Sequence, residues 1–211
     1  MKNTRLIYIQ KLTFTAIFVA LYVVSGVYIK INVPPVPFSS LTLFAMMAAI
    51  MLGKYLAPVS FAIYVSMGLL GLPVFAKGLS GPSYVFQPSF GYLIGYIIAC
   101  FVVGLIVEKL KDKSSVKKEA LLTSDSKFKN LFIKIKYSYY LKIVLACLIG
   151  LTIVYIAGII YFCCLQSFYF GNAVDFGKVL VSFCLIFIPS DAMWCFLAAF
   201  IAIKVKKALK M

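Results

Sequence analysis

The sequence predicts an all-α polytopic membrane protein: six transmembrane helices in a single domain spanning residues 1–211, with both termini cytoplasmic. Three observations predict it. Hydrophobic residues make up 64% of the chain and charged ones 13%, with a mean hydropathy of +1.03, which no soluble domain of this size tolerates. The apolar residues fall into runs of about the length that crosses a bilayer, about 20 residues. The 21 basic residues then sort by side: with six spans, all but Lys30, Lys77 and Lys178 fall on the face that carries both termini. The positive-inside rule makes that face cytoplasmic, and a count of five or seven spans would destroy the asymmetry. The net charge of +15 is thereby a matter of topology and anionic lipid, not of nucleic acid.

Each element follows in order. Leu12–Ile29 carries no charge, is long for the core of a signal peptide and has no small-x-small cleavage site after it, so it reads as a retained first helix. Lys30 and the segment Asn32–Pro37 form a turn. Phe38–Gly53 is a short second helix closed by Lys54, and Tyr55–Gly71 is the third. Gly91–Val107 is the fourth, ending at Glu108, and Lys109–Lys142 is a basic cytoplasmic connector expected to be a loop. Ile143–Leu165 is the fifth, Gln166–Gly177 a polar-aromatic loop, and Lys178–Ile203 the sixth, broken at Pro189.

Between the third and fourth helices, Pro73, Pro82 and Pro88 stand among Gly71, Gly78 and Gly81, so the backbone there is irregular. Yet the segment holds one charge, Lys77, and the aromatics Phe75, Tyr84, Phe86 and Phe90, with Tyr92 just beyond. A solvated loop would be polar. An apolar, helix-breaking loop beside a membrane reads as one folded over a cavity, because its backbone groups find no partners in lipid.

Chemistry is scarce. There is no histidine, so a histidine-ligated metal or histidine base is excluded. The six cysteines lie in apolar runs without a CxxC pair and read as small hydrophobes; no cofactor is expected. Gly53-Lys54 is followed by Tyr55, not Ser or Thr, so there is no Walker A loop. Of the six acidic residues only Asp191 lies deep in an apolar run, where an ionised carboxylate costs a few kcal/mol and faces a cavity or a partner. Its blander role is to cap the helix restarting after Pro189, though Ser190 could do that without a charge. Lys77 could pair with a ligand carboxylate or snorkel to water. The loop aromatics could wall a pocket or anchor at the interface. Tyr155, inside the fifth helix, needs a hydroxyl partner. Ala16 with Ala20, and Gly91 with Gly95, place small residues four apart, which lets helices approach closely.

Five separated segments, PFSSLTLF (37–44), GLPVFA (71–76), PSFGYLIGY (88–96), VYIAGIIYF (154–162) and FIPSDAMW (187–194), resemble the BioY family in order and spacing. These are the biotin-binding S components of energy-coupling factor (ECF) vitamin transporters. The resemblance implies an S-component bundle in the plasma membrane that captures biotin from outside beneath the loop between the third and fourth helices. It implies as partners a transmembrane coupling subunit, docked on Ala16 and Ala20, and two ATPases, which accords with the missing Walker A loop. With the reading of the residues themselves, it gives as the candidate substrate-binding set Asp191, Tyr92, Phe75, Lys77, Tyr84, Gln87, Ser89, Tyr155 and Trp194. A ureido N–H suits Asp191, and the fused rings suit aromatic walls.

The chain departs from the family pattern at Leu41, usually Gln, and at Phe90 within Gln87–Tyr92. It departs also at Trp194, where Asp-x-x-Lys is usual, and at Lys77, which could stand in for that missing cation. An S component for another small vitamin is the alternative within the class. An intramembrane lipid-modifying enzyme would need convergent acid, base or metal groups, and a ligand-free scaffold would leave Asp191 unexplained.

Overall fold

A computed structural model describes residues 2–28, 30–31, 38–121, 128–168 and 187–209. The described residues are helical apart from one pair of two-residue strands and the loop at 71–89. The helices are α1 (Lys2–Val27), α2 (Leu41–Leu69), α3 (Phe90–Leu121), α4 (Phe128–Phe168) and α5 (Ile188–Ala208). Each contains a stretch long and apolar enough to cross a membrane, five candidates in all among the described residues. Helices suit that solvent because they satisfy their own backbone hydrogen bonds. The short strands β1 (Lys30–Ile31) and β2 (Phe38–Ser39) pair antiparallel and bring the end of α1 back to the start of α2.

The second and third expected helices form one element, α2, with a reversal inside it. Gly53 has φ +80° and ψ −172°, a conformation open to glycine and strained for any residue with a Cβ. Thr42 hydrogen-bonds Tyr96, and the ring of Phe61 lies 5.2 Å from that of Tyr96. A straight helix would separate Thr42 and Phe61 by about 28 Å, at 1.5 Å per residue, so the chain turns back at Gly53. The break frees two backbone groups, and neighbouring helices take them up. Lys54 N donates to Glu108 Oε1 of α3 at 3.2 Å, and the carbonyl of Ile50 accepts from Lys206 Nζ of α5 at 3.0 Å. Lys54 Nζ adds an ion pair to Glu108 Oε2 at 3.2 Å. Gly104 allows the approach: a Cβ there would lie 2.6 Å from Lys54 N.

The first arm of α2 is the centre of the bundle. Leu41–Leu52 is buried almost without interruption, and Met46 and Ile50 are among the largest fully enclosed side chains. On α4, by contrast, Leu145, Ile149, Ile156 and Ile160 form an exposed apolar stripe at helical spacing, the face expected toward lipid. Helices α3 and α4 meet at the small residues anticipated for close packing. A Cβ on Gly91 would overlap Tyr161 Cβ, and one on Gly95 would lie 2.8 Å from Val154 Cα.

The connector differs from the expected loop. Helix α3 continues to Leu121 and α4 begins at Phe128, with 122–127 outside the described residues. No proline or glycine lies between Gly104 and Gly150, and Lys, Glu, Leu and Ala favour continuing a helix already started. In the sixth expected helix, residues 178–186 fall outside the described residues, as does 169–177 of the loop before it. Pro189 lies in the first turn of α5, where its missing N–H is no loss, so within the described residues it begins a helix and interrupts none.

Candidate binding site

The loop at 71–89 closes one end of the bundle. Gly71, Gly78 and Gly81 take positive φ, and two short 3-10 turns, Ala76–Gly78 and Pro82–Phe86, carry the chain between them. Phe75, Tyr84 and Phe90 pack on one another and are buried, while Phe86 is exposed. Phe75 stacks on Tyr84 with centroids 4.2 Å apart, and Tyr84 meets Phe90 edge-on at 6.5 Å. The Tyr84 hydroxyl bonds Ser89 Oγ at 2.9 Å. Burial pushes the Tyr84 phenol above its ordinary pKa, opposed by its hydrogen bonds, so it stays neutral. Tyr161 of α4 donates its hydroxyl to the carbonyl of Val85 and packs on Phe90, tying the loop down. Gly68 is tightly required: a Cβ there would overlap the Phe75 ring.

Beneath the loop an aromatic column runs inward. Phe75 meets Tyr64 edge-on at 5.9 Å, Tyr64 meets Phe61 at 5.5 Å, and Phe61 reaches Tyr96. The Tyr96 hydroxyl lies 2.5 Å from Thr42 Oγ1, and Thr42 donates to Asp191 Oδ1 at 3.0 Å. From the other side Tyr155 of α4 donates to Asp191 Oδ2 at 2.6 Å. The Tyr155 ring is set by Tyr92, edge-on at 6.1 Å, and Tyr92 lies flat over Gly158, where a Cβ would be 2.7 Å from its ring.

Asp191 is therefore buried, 8% exposed, and held by hydroxyls from α2 and α4. Its carboxylate does not cap α5. Nor does Ser190, whose Oγ donates to the carbonyl of Phe187. The capping alternative fails because the helix already begins at Ile188, so both residues lie inside it, with Asp191 N bonded to the carbonyl of Phe187. Each oxygen retains a further lone pair, so the group can still accept an N–H from a ligand.

The expected site residues fall into two clusters. Asp191, Tyr155 and Tyr92 come together, with Trp194 one turn along α5. Its Nε1 is buried and has no hydrogen-bond partner among the described residues. Phe75, Tyr84 and Ser89 come together in the loop, while Gln87 is exposed at its edge. The Lys77 side chain lies outside the described residues. Ala16 and Ala20 are exposed on α1. Thr42 and Tyr96 were not among the expected residues. Tyr96 lies four after Tyr92 on one helix face, but nothing local marks Thr42 as the partner of a residue 149 positions away. Among the described residues no group of His, Cys, Asp or Glu could hold a metal ion. Cys100, Cys147 and Cys195 are buried free thiols, Cys163 and Cys164 are free and less enclosed, and Cys184 lies outside the described residues.

A multi-pass helical bundle with an ionisable acceptor buried below an aromatic loop defines a membrane protein built around an internal polar site. The chain belongs to the BioY family, whose family model matches residues 1–211. Among curated relatives it is 42% identical over 100 residues to the probable biotin transporter BioY of Lysinibacillus sphaericus, covering 47% of this chain and 50% of that one. It is also 42% identical over 100 residues to the biotin transporter BioY of Thermotoga maritima, covering 47% and 59% respectively. The chain thus spans about half the length of the curated relatives it matches. The crystal structure of an S-component for biotin from an ECF-type ABC transporter superposes with a TM-score of 0.72. It is 24% identical, and the match covers 98% of this chain and 94% of that one, a likeness of fold.

Proposed function

We propose that this chain is a biotin-binding S component, which captures biotin outside the cell and delivers it inward with ATP-driven partners, and that it is not itself an enzyme. The observation that carries the reading is Asp191: an acceptor buried among helices, beneath an aromatic loop, in a BioY family chain. A ureido N–H of biotin donates to the carboxylate, and the rings of Tyr92, Tyr155 and Trp194 line the bicycle. The relatives named as biotin transporters, and the biotin S-component of like fold, support the same ligand. Equilibrium binding of labelled biotin to the detergent-purified chain, with lipoate, thiamine and riboflavin as competitors, tests it. Saturable binding displaced by biotin alone is expected. Asp191→Asn is expected to weaken it by about two orders of magnitude, the effect of losing a charged hydrogen-bond partner worth about 3 kcal/mol. Unchanged affinity in that variant would sink the role.

The reversal at Gly53 divides α2 into two traverses, which supports a six-helix count with both termini and the connector in the cytoplasm of a plasma-membrane protein. The partners are a coupling transmembrane subunit, docked on exposed Ala16 and Ala20, and two ATPases. Lys77 in the outer loop is the cation for the biotin carboxylate; affinity of Lys77→Ala no weaker than the parent would refute it. The observation that favours a second ligand, another small vitamin, is Trp194 in place of the usual lysine. Displacement of biotin by one of the three competitors would support it.

A further inference from the structure

We infer that Tyr96 and Thr42 are positioning residues: a two-hydroxyl relay whose protons run toward Asp191 and so make it an obligate acceptor that selects N–H-donating ligands. The inference rests on the binding role proposed for Asp191 and concerns residues one and two hydrogen bonds behind it. Each hydroxyl has one proton to give. Thr42 Oγ1 lies 3.0 Å from Asp191 Oδ1 and 2.5 Å from Tyr96 OH, so its proton serves one of them. Were it turned to Tyr96, two oxygens bearing only lone pairs would face each other across the 3.0 Å gap, in a site where Thr42 is 1% exposed and water cannot intervene. Thr42 therefore donates to Asp191, and Tyr96 donates to Thr42.

Tyr155 donates to the second oxygen at 2.6 Å. All three protons run toward the carboxylate. One lone pair on each oxygen is taken, the rotamer is fixed, and what remains open on the group accepts. A ligand that presents an ether or carbonyl oxygen there meets repulsion, whereas an amide or urea N–H completes the set. Tyr96 is itself packed against Phe61, from the far side of the Gly53 reversal.

The test is a double-mutant cycle in the full chain, with biotin as the probe. Tyr96→Phe and Thr42→Val are each expected to weaken biotin binding about tenfold, and Thr42→Ser is expected to restore it to within about threefold of the parent. In an Asp191→Asn background, Tyr96→Phe should have no further effect, because a positioning residue acts only through the group it positions. Parental affinity in Tyr96→Phe, or an equal loss in both backgrounds, overturns the relay while leaving the binding role of Asp191 standing. The same cycle, read as thermal unfolding without ligand, decides the relay independently of biotin. Coupling between positions 96 and 191 is expected, and strict additivity overturns it. Failure of the folded parent to bind biotin instead strikes the proposed function, a separately readable result.

Discussion

At the scale of single residues, the site is governed by what each polar atom has for a partner. Asp191 is supplied: hydroxyls from two helices offset much of the few kcal/mol that a carboxylate costs at that depth. Trp194 is not, for its indole N–H is buried and unpaired among the described residues. An unmet buried donor costs about 1–3 kcal/mol, so it is a place where a ligand acceptor gains affinity without displacing a protein hydrogen bond. Trp194→Phe keeps the aromatic surface and deletes the donor. Its ligand-free melting temperature is expected to equal or exceed that of the parent, with biotin affinity lower by about tenfold. A lowered melting temperature with parental affinity would mean that the N–H has a structural partner instead. Asp191 was legible in the sequence because a lone acid in an apolar run is conspicuous. Its donors were not, because threonine and tyrosine are ordinary in membrane helices and only long-range packing selects which of them face it.

At the scale of elements, the reversal in α2 organises one end of the bundle. Gly53 makes the turn, Gly104 lets α3 approach it, and Glu108 and Lys206 take up the backbone groups that the turn leaves open. Gly53→Ala is expected to destabilise by about 1–3 kcal/mol through backbone strain alone. Gly104→Ala is expected to cost more, since its Cβ would meet the backbone of Lys54 and not a movable side chain. Thermal unfolding in detergent reads both, and parental stability in Gly53→Ala would mean the turn relaxes to another conformation. The apolar runs showed where helices lie, because the lipid imposes hydrophobicity on every span. They carried no sign that the arms on either side of Gly53 both contact Tyr96, nor that α3 runs on to Leu121 and α4 begins at Phe128.

At the scale of the whole molecule, the predictions concern the two sides of the membrane and the surface of α1. Cysteines placed singly at Lys77 and at Ser124 are expected to label from opposite sides of intact cells, Lys77 from outside. Labelling of both from one side would refute the six-span topology. Ala16 and Ala20 are exposed a turn apart on α1, whereas Thr42, Tyr96, Tyr155 and Asp191 of the carboxylate cluster are buried. Ala16→Trp with Ala20→Trp is therefore expected to leave biotin affinity within about twofold of the parent, while uptake by cells carrying the partner subunits falls at least tenfold. Loss of binding in that variant would place α1 in the binding site and not at the partner interface.

The membrane as solvent, the helical class, the irregular aromatic loop and the single deep carboxylate are all legible along the chain. Each is written locally, in hydropathy, in proline and glycine, or in one charge out of place. What surrounds that carboxylate is settled by packing alone. The Tyr96–Thr42–Asp191–Tyr155 set draws on four helices of the bundle, and small residues let α3 and α4, which carry two of its members, close together. Hydrogen-bond partnership is a matter of distance and direction between segments far apart in the chain, which a run of residues does not carry.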